Sequence, residues 1–484
     1  MGKLDLCVGV ALMSLGAVGS AHAAAFKPCD DAGSNPALKG SLCKVERVAA
    51  DPSGQAGAPA GSVDRVDRFD LFVRKFPASG AARGQVWLIA GGPGESGAAF
   101  YGLVPVFQAA FPGLDLIVPD HRGTGFSTRM CRKEEAPASP GGAALDGAEW
   151  GSCFAYLNGQ PGVTRQFSQT NGAHDLKLLL ERTPAKGKTY LYGVSYGTQL
   201  VLRTLAIGAK GVDGVVLDSL VSLQEDDKAD LSRRSLIADA VGRRRLADCD
   251  ANPACSARMG EPAETVYRRV LAKVAQDPAL AATIPGKNLK RLFGNLLDVP
   301  SVAEQLPYVM KDLDEGRREP LEAVLAEAEK EMARLGSFPQ SPPSTPLVIL
   351  ISGSENNLRP GRTAQDVADE EAGLLFTSSL PGHLVNTPFP LYKPDAWYAR
   401  LPARLPPTLV IHGDRDAKTD YDAAVRHVAA LGKAGPVRLY TARNEAHWVL
   451  WSGRSCAARE VAAFVSAKPT SAAGAACVEA AGAR

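Results

Sequence analysis

The chain has 484 residues, 45% of them hydrophobic and 22% charged, enough apolar sequence for a large core or for one large domain carrying an insertion. Its formal net charge is only +2, so no strong attraction to nucleic acid or anionic membranes is expected. Arg243-Arg244-Arg245 is a short run of like charge and reads as a solvated helix face.

The first segment reads as an export signal. Lys3 supplies a positive start, residues 8–18 are apolar, and Ala21-His22-Ala23 has the small-x-small pattern of a cleavage site, although Asp5 is unusual there. The apolar stretch is shorter than the ~20 residues a membrane span needs, and no later segment is long and apolar enough either. The mature protein is expected to begin near Ala24, secreted or periplasmic. Beyond Cys7 the cysteines are Cys29, Cys43, Cys131, Cys153, Cys249, Cys255, Cys456 and Cys477. An even number in an exported chain suggests disulfides, and nearest-neighbour pairing is the simplest of about 105 possibilities. The competing use of cysteine, a zinc site, lacks its short C-x-x-C spacing and clustered histidines, so neither metal nor cofactor is expected.

Short apolar runs follow at residues 71–76, 85–89, 114–118, 189–192, 214–217, 408–411 and 437–440. Such runs are how strands buried on both faces of a parallel sheet appear. Helix-like stretches lie between several of them, for example 173–182 and 422–431, so a mostly parallel sheet flanked by helices is expected. Residues 222–400 break this rhythm with amphipathic stretches at 263–274 and 320–335 and proline-rich sequence at 339–346. They read as a largely helical insertion, a lid over the strand ends. The core would then comprise residues 24–221 and 401–484, with 1–23 as the leader; an independent second domain is the alternative.

Gly193-Val194-Ser195-Tyr196-Gly197 lies between a strand-like and a helix-like stretch. G-x-S-x-G in that setting is the nucleophile elbow of an α/β-hydrolase, a turn that raises the serine hydroxyl above the sheet edge. A nucleophilic serine needs a base, an acid that orients the base, and donors for the oxyanion, and in this fold the order is serine, acid, histidine. His447 follows the last strand-like run and suits the base. His121 and His174 precede the serine, His383 lies in the insertion, His427 in a helix-like stretch, and His412 within a strand end, where a packed histidine is the simpler reading. Asp416 follows the run at 408–411 and suits the acid. Asp414, beside it, reads as a turn residue, and Asp218, at the end of an earlier strand, is the other acid in play. The backbone N–H of Tyr196 and one from the loop Gly91-Gly92-Pro93-Gly94-Glu95-Ser96-Gly97 suit the oxyanion. That loop lacks the G-K-[ST] ending of a phosphate-binding loop.

Together with Asp120-His121-Arg122-Gly123-Thr124-Gly125-Phe126-Ser127, these motifs resemble the prolyl and tripeptidyl aminopeptidase family of α/β-hydrolases. Tyr196 after the serine, the close pair Cys249 and Cys255, and the tail cysteines Cys456 and Cys477 resemble its exported tripeptidyl-aminopeptidase branch. The resemblance implies Ser195 as nucleophile, Asp416 as acid, His447 as base, and Gly92 with Tyr196 as oxyanion donors. Two residues depart from the family pattern. Glu95 stands where a small residue is usual, and Asp420 replaces a proline often found after Asp416-x-x-Thr419. An aminopeptidase must also hold the substrate's α-ammonium. Glu355 is the first candidate, then Glu95 and Glu225, with an exposed turn carboxylate as the ordinary reading of Glu355. The expected function is an exported serine hydrolase acting on peptide N-termini through an acyl-enzyme. An esterase or lipase acting on small acyl esters is the enzymatic alternative, and a catalytically silent binding protein of the same fold is the non-enzymatic one.

Overall fold

The computed structural model describes residues 24–54, 67–136, 139, 150–452 and 455–466. The expected leader, residues 1–23, lies outside them. Among the described residues nine strands form one sheet: β1 (Lys27–Pro28), β2 (Leu42–Ala49), β3 (Arg68–Phe76), β4 (Gly84–Ile89), β5 (Asp115–Pro119), β6 (Lys188–Val194), β7 (Gly214–Asp218), β8 (Thr408–Gly413) and β9 (Val437–Ala442). Their order is β1-β2-β3-β5-β4-β6-β7-β8-β9. The pairs β5–β4, β4–β6, β6–β7, β7–β8 and β8–β9 are parallel, whereas β1, β2 and β3 run antiparallel at one edge. This is the α/β-hydrolase architecture expected from the sequence.

The unbroken apolar runs of the central strands have a simple cause. Side chains alternate between faces along a strand, and here both faces are covered. Val86 and Leu88 of β4 pack into a core with Phe107 and Val461, whereas Trp87 and Ile89 pack on the other face with Leu176 and Leu200. Every residue of β4, β7 and β8 is therefore buried.

β1 and β2 were not expected. In β2 the alternation is inverted relative to hydrophobicity, because Lys44 and Glu46 point inward while Val45 is exposed. The buried charges are satisfied locally. Lys44 Nζ lies 2.9 Å from Glu46 Oε1 and donates to Thr183 Oγ1 at 2.7 Å, and Arg182 pairs with Glu46 at 3.2 Å.

Between β7 and β8 the chain folds into helices, from Arg234–Ala251 to Leu380–His383. Their apolar faces, including Val241, Tyr267, Phe293, Val309 and Phe376, are continuous with the core on one face of the sheet. The expected solvated face at Arg243-Arg244-Arg245 needs correction. Arg245 is buried and donates to the carbonyl of Asn444 at 2.9 Å, because the helix packs against the loop that precedes His447.

Disulfides join Cys29 to Cys43, Cys131 to Cys153 and Cys249 to Cys255, the nearest-neighbour pairing expected. Cys456 is disulfide-bonded as well; Cys477, its expected partner, lies outside the described residues.

Arg122, from the Asp120–Ser127 motif, is a structural hub. Its guanidinium is buried, donates twice to Asp175 at 2.6 Å, and also reaches the carbonyls of Ala50 (2.6 Å) and Gln166 (2.5 Å). The contacts tie the β5 loop to β2 and to the helix Gln169–Arg182. Removing one member of a buried pair strands the other charge. Asp175→Ala should therefore cost about 3 kcal/mol of stability, read as a lower midpoint in chemical denaturation with an unchanged slope.

Candidate active site

Ser195 is the single residue between β6 and the helix Tyr196–Ala206, and it adopts φ 53° and ψ −126°. A positive φ on a residue with a side chain costs on the order of 1–3 kcal/mol and persists only where the surroundings enforce it. They do so here. A Cβ on Gly193 would collide with the backbone of Gly197, and one on Gly197 with the carbonyls of Ile89 and Ala90, so the turn can close only without side chains at both positions. The Ser195 N–H donates to the carbonyl of Asp218 at 3.0 Å, and the Ser195 carbonyl accepts from the N–H and hydroxyl of Thr198 at 2.9 and 2.7 Å.

Asp416 and His447 are brought together from the loops after β8 and β9. His447 Nδ1 lies 2.8 Å from Asp416 Oδ2, and since a carboxylate only accepts, Nδ1 carries the hydrogen. That leaves Nε2 as the ring's acceptor. The remaining capacity of Asp416 is taken by the N–H groups of Lys418 and Thr419, both at 2.7 Å, and by the Thr419 hydroxyl at 2.6 Å. Burial alone would raise the Asp416 pKa. The charge and hydrogen bond of His447, with His412 and Thr419, outweigh burial and hold the carboxyl below its usual range. Asp414 accepts from the Asn444 N–H at 2.7 Å in the adjoining turn.

The other histidines have other partners. His412 is fully buried, with Nδ1 accepting from the Leu220 N–H at 3.0 Å and Nε2 3.0 Å from the Thr419 carbonyl. His121 Nε2 lies 3.1 Å from the Ala90 carbonyl and its ring abuts Tyr196, and His427 Nδ1 lies 2.7 Å from the Val221 carbonyl. Asp218 is fully buried and turns its carboxylate to the backbone beyond His447 rather than to the ring. Asp420, the departure from the family pattern, caps the helix Tyr421–Leu431 by accepting from the Ala423 N–H at 2.8 Å.

The loop 91–97 runs hard against Ser195. A Cβ placed on Gly91 would lie 3.0 Å from Ser195 Cβ and 3.3 Å from Glu95 Oε2, so the Glu95 carboxylate lies within about 6 Å of Ser195 Cβ. Glu95 has no direct hydrogen bond or ion pair among the described residues and interacts with Lys418 through charge alone. Gly92 has φ +104°, and Tyr196 is buried at the start of its helix.

Glu355, the first candidate for the α-ammonium, is not the exposed turn carboxylate of its ordinary reading either. It ends the helix Thr345–Glu355 and is buried, with Oε2 accepting from Arg203 (3.2 Å) and Gln224 (3.0 Å) and Oε1 from the Tyr392 hydroxyl (3.0 Å). Its charge is already met, although Arg203 also lies 4.0 Å from Asp395 and so faces two carboxylates. Glu225 is exposed.

The inserted helices reach this region. The Ser344 N–H donates to the Gly94 carbonyl at 2.9 Å, Ser96 Oγ donates to the Gln340 carbonyl at 2.7 Å, and Lys418 pairs with Asp298 at 2.9 Å. Arg234 interacts by charge with Asp298 and Asp416, and its Nε has no partner. Neither Arg234 nor Asp298 carries a motif, so nothing in the sequence singled them out. Thr419, three residues after Asp416, does fit a carboxylate-capped turn. Among the described residues the metal-type side chains that lie together are Cys29, Asp31 and Cys43. The two sulfurs are bonded to each other and Asp31 pairs with Arg74, so they offer no open ligand set.

Residues 86–255 match the family model described as alpha/beta hydrolase fold, and residues 392–477 match the one described as TAP-like protein. The chain belongs to the α/β-hydrolases and is a hydrolase of that fold. Within them it is tripeptidyl aminopeptidase-like, since its C-terminal part matches the TAP-like model. No curated protein matched the chain. Similar solved structures include an esterase from Rhodococcus sp. ECU1013 (16% identity, 83% of this chain and 96% of that one, TM-score 0.36). A proline iminopeptidase from Mycobacterium smegmatis is 15% identical over 82% of this chain and 95% of its own, with TM-score 0.35. An epoxide hydrolase mutant from Vigna radiata is 13% identical over 88% and 99%, with TM-score 0.36. Nothing about this chain's substrate follows from them.

The geometry around Asp416 leads to a specific expectation. Thr419→Val keeps the backbone N–H but removes the hydroxyl that fills Oδ2, at a cost of about 1 kcal/mol. Turnover should fall about fivefold to tenfold, with KM little changed, in steady-state kinetics.

Proposed function

We propose that this hydrolase uses Ser195 as nucleophile, His447 as general base and Asp416 as the acid that orients His447, through an acyl-enzyme. The observation that carries this reading is the 2.8 Å bond between His447 and Asp416, on the loops that follow β8 and β9, together with Ser195 held in its strained turn at the end of β6. His447 Nε2 takes the Ser195 proton as the hydroxyl attacks the carbonyl carbon. The N–H groups of Gly92 and Tyr196 receive the oxyanion, and His447 returns the proton to the leaving group. Water then repeats the sequence to free the enzyme.

The substrate proposed is a peptide with a free N-terminus. Glu95 supports it, as an unpaired carboxylate within about 6 Å of Ser195 Cβ, where an α-ammonium next to the scissile carbonyl would sit. It now ranks ahead of Glu355, whose oxygens Arg203, Gln224 and Tyr392 already fill. Residues 222–400 act as a lid, a role supported by their contacts with Gly94, Ser96 and Lys418. Three disulfides support an exported protein, since such bonds persist in oxidising compartments.

The test uses three measurements. A fluorophosphonate probe should label Ser195 in the folded protein, and Ser195→Ala should abolish labelling and lower turnover by about 10⁴-fold or more. Absence of labelling would point to the silent binding protein. Acetylating the amine of a peptide substrate should lower kcat/KM by well over tenfold, about 1.4 kcal/mol or more, and Glu95→Gln should cause a similar loss on the free peptide alone. Equal turnover of free and acetylated peptides, or activity confined to short-chain esters, would establish the esterase instead. A loss with Glu355→Gln but not with Glu95→Gln would return the ammonium to the Arg203 cluster.

A further inference from the structure

Asp218 forms none of the contacts of a catalytic acid, yet it touches both halves of the site. Its main-chain carbonyl accepts from the Ser195 N–H at 3.0 Å. Its side chain accepts from the N–H of Val449 at 2.9 Å (Oδ1) and of Leu450 at 3.0 Å (Oδ2). These are the first two residues of the short helix Val449–Ser452, which begins two residues after His447. Two hydroxyls complete the carboxylate's partners, Ser219 on Oδ1 at 3.2 Å and Tyr192 on Oδ2 at 2.8 Å. Both hydroxyls reach Trp448, the residue next to the base. Its N–H donates to Ser219 Oγ at 2.8 Å and its indole N–H to the Tyr192 hydroxyl at 3.1 Å.

Trp448 has φ +62°, a conformation an aromatic residue keeps only when its neighbours impose it. Asp218 is where those restraints converge. One fully buried carboxylate fixes the backbone of residues 448–450 directly or through one hydroxyl, while the same residue's carbonyl fixes the nucleophile.

We propose that Asp218 is a positioning residue that holds His447 in register with Ser195, and that it does so as the carboxylate. The inference rests on the serine-hydrolase reading of the site. All four groups around the carboxylate are donors in this arrangement, so protonating an oxygen sets an O–H against a donor and breaks the set. The relevant pH range is accessible. Burial raises the Asp218 pKa to about 6, against the opposing pull of the Leu450, Tyr192 and Val449 hydrogen bonds and of the His447 charge. The ionisable groups near it are Tyr192 on β6 and His447 beyond β9; His412 on β8 is engaged by the Leu220 N–H and the Thr419 carbonyl instead. As pH falls through about 6, activity should therefore be lost as Asp218 takes up a proton.

Asp218→Asn tests this. It keeps the shape but places an NH₂ among donors. A displacement of about 1 Å at a reacting group costs on the order of 100-fold, so kcat and the rate of fluorophosphonate labelling should fall about 10- to 100-fold while KM holds. The acid limb of log kcat/KM against pH should be steeper in the wild type than in the variant, which lacks the Asp218 proton. Burial also raises Asp120 to about 6, so the readout is the difference between the two proteins rather than either slope alone. If Asp218→Asn does not fold, Tyr192→Phe and Ser219→Ala each remove one arm and leave the carboxylate. Each should lower kcat with KM unchanged and keep the wild-type form of the acid limb. Wild-type labelling with an unaltered rate, kcat and acid limb in Asp218→Asn would overturn the positioning role alone. So would unaltered kcat in both single-arm variants. Absence of wild-type labelling would instead remove the serine-hydrolase reading beneath it.

Discussion

Three stretches of backbone meet at Ser195 with no room for side chains, and the geometry of the site follows from that crowding. The turn needs Gly193 and Gly197 to pass each other, and the loop from β4 brings Gly91 against the serine's own Cβ. Residue 195 is thereby forced to a positive φ. Such a conformation is maintained only if the strands on either side cannot yield. β4, β6 and β7 cannot, because they are central, parallel and packed on both faces. The hydrophobic core therefore contributes to function by making the sheet too stiff for the turn to relax.

Much of this was legible in the sequence because burial on both faces leaves an unbroken apolar signature. The seven strands expected are present, and the α/β-hydrolase fold inferred from the elbow is the one observed. β2 escaped notice for a definite reason. Lys44 and Glu46 face inward and neutralise each other, while Val45 faces out, so its pattern reads as a polar surface segment. The same limit applies to Glu355 and Arg245. Each is a charged side chain whose burial depends on a partner far along the chain, Arg203 in one case and the Asn444 carbonyl in the other. Periodicity cannot report such pairs. It does report strand ends, and Ser195, Asp416 and His447 each follow one, in the order serine, acid, histidine.

The helices inserted between β7 and β8 are joined to the sheet by more than their two chain ends. Their apolar faces continue the core on one side of the sheet, and polar contacts tie them to the glycine loop and to the Asp416 loop. In the proposed lid role, a shift of helices attached in this way would disturb Gly94 or Lys418, which would link substrate entry mechanically to the proposed oxyanion donors.

Two buried carboxylates that interact with His447 show how environment divides labour between identical groups. Asp416 is surrounded by donors that include the imidazole itself, and these lower its pKa despite complete burial. It stays ionised and can stabilise an imidazolium. Asp218 is equally buried, but its donors are backbone N–H groups and hydroxyls, and burial wins over them. It sits near the boundary between its two protonation states. A group in that position is ill suited to orient the ring directly, since its charge would be lost under mildly acidic conditions. It is suited to fixing the chain beside the ring, where its charge is felt at a distance and its four acceptor positions do the holding. The fold thus places the always-ionised acid on the ring and the titrating one on the backbone. Exchanging those assignments would require changing the surroundings of both residues rather than their identities.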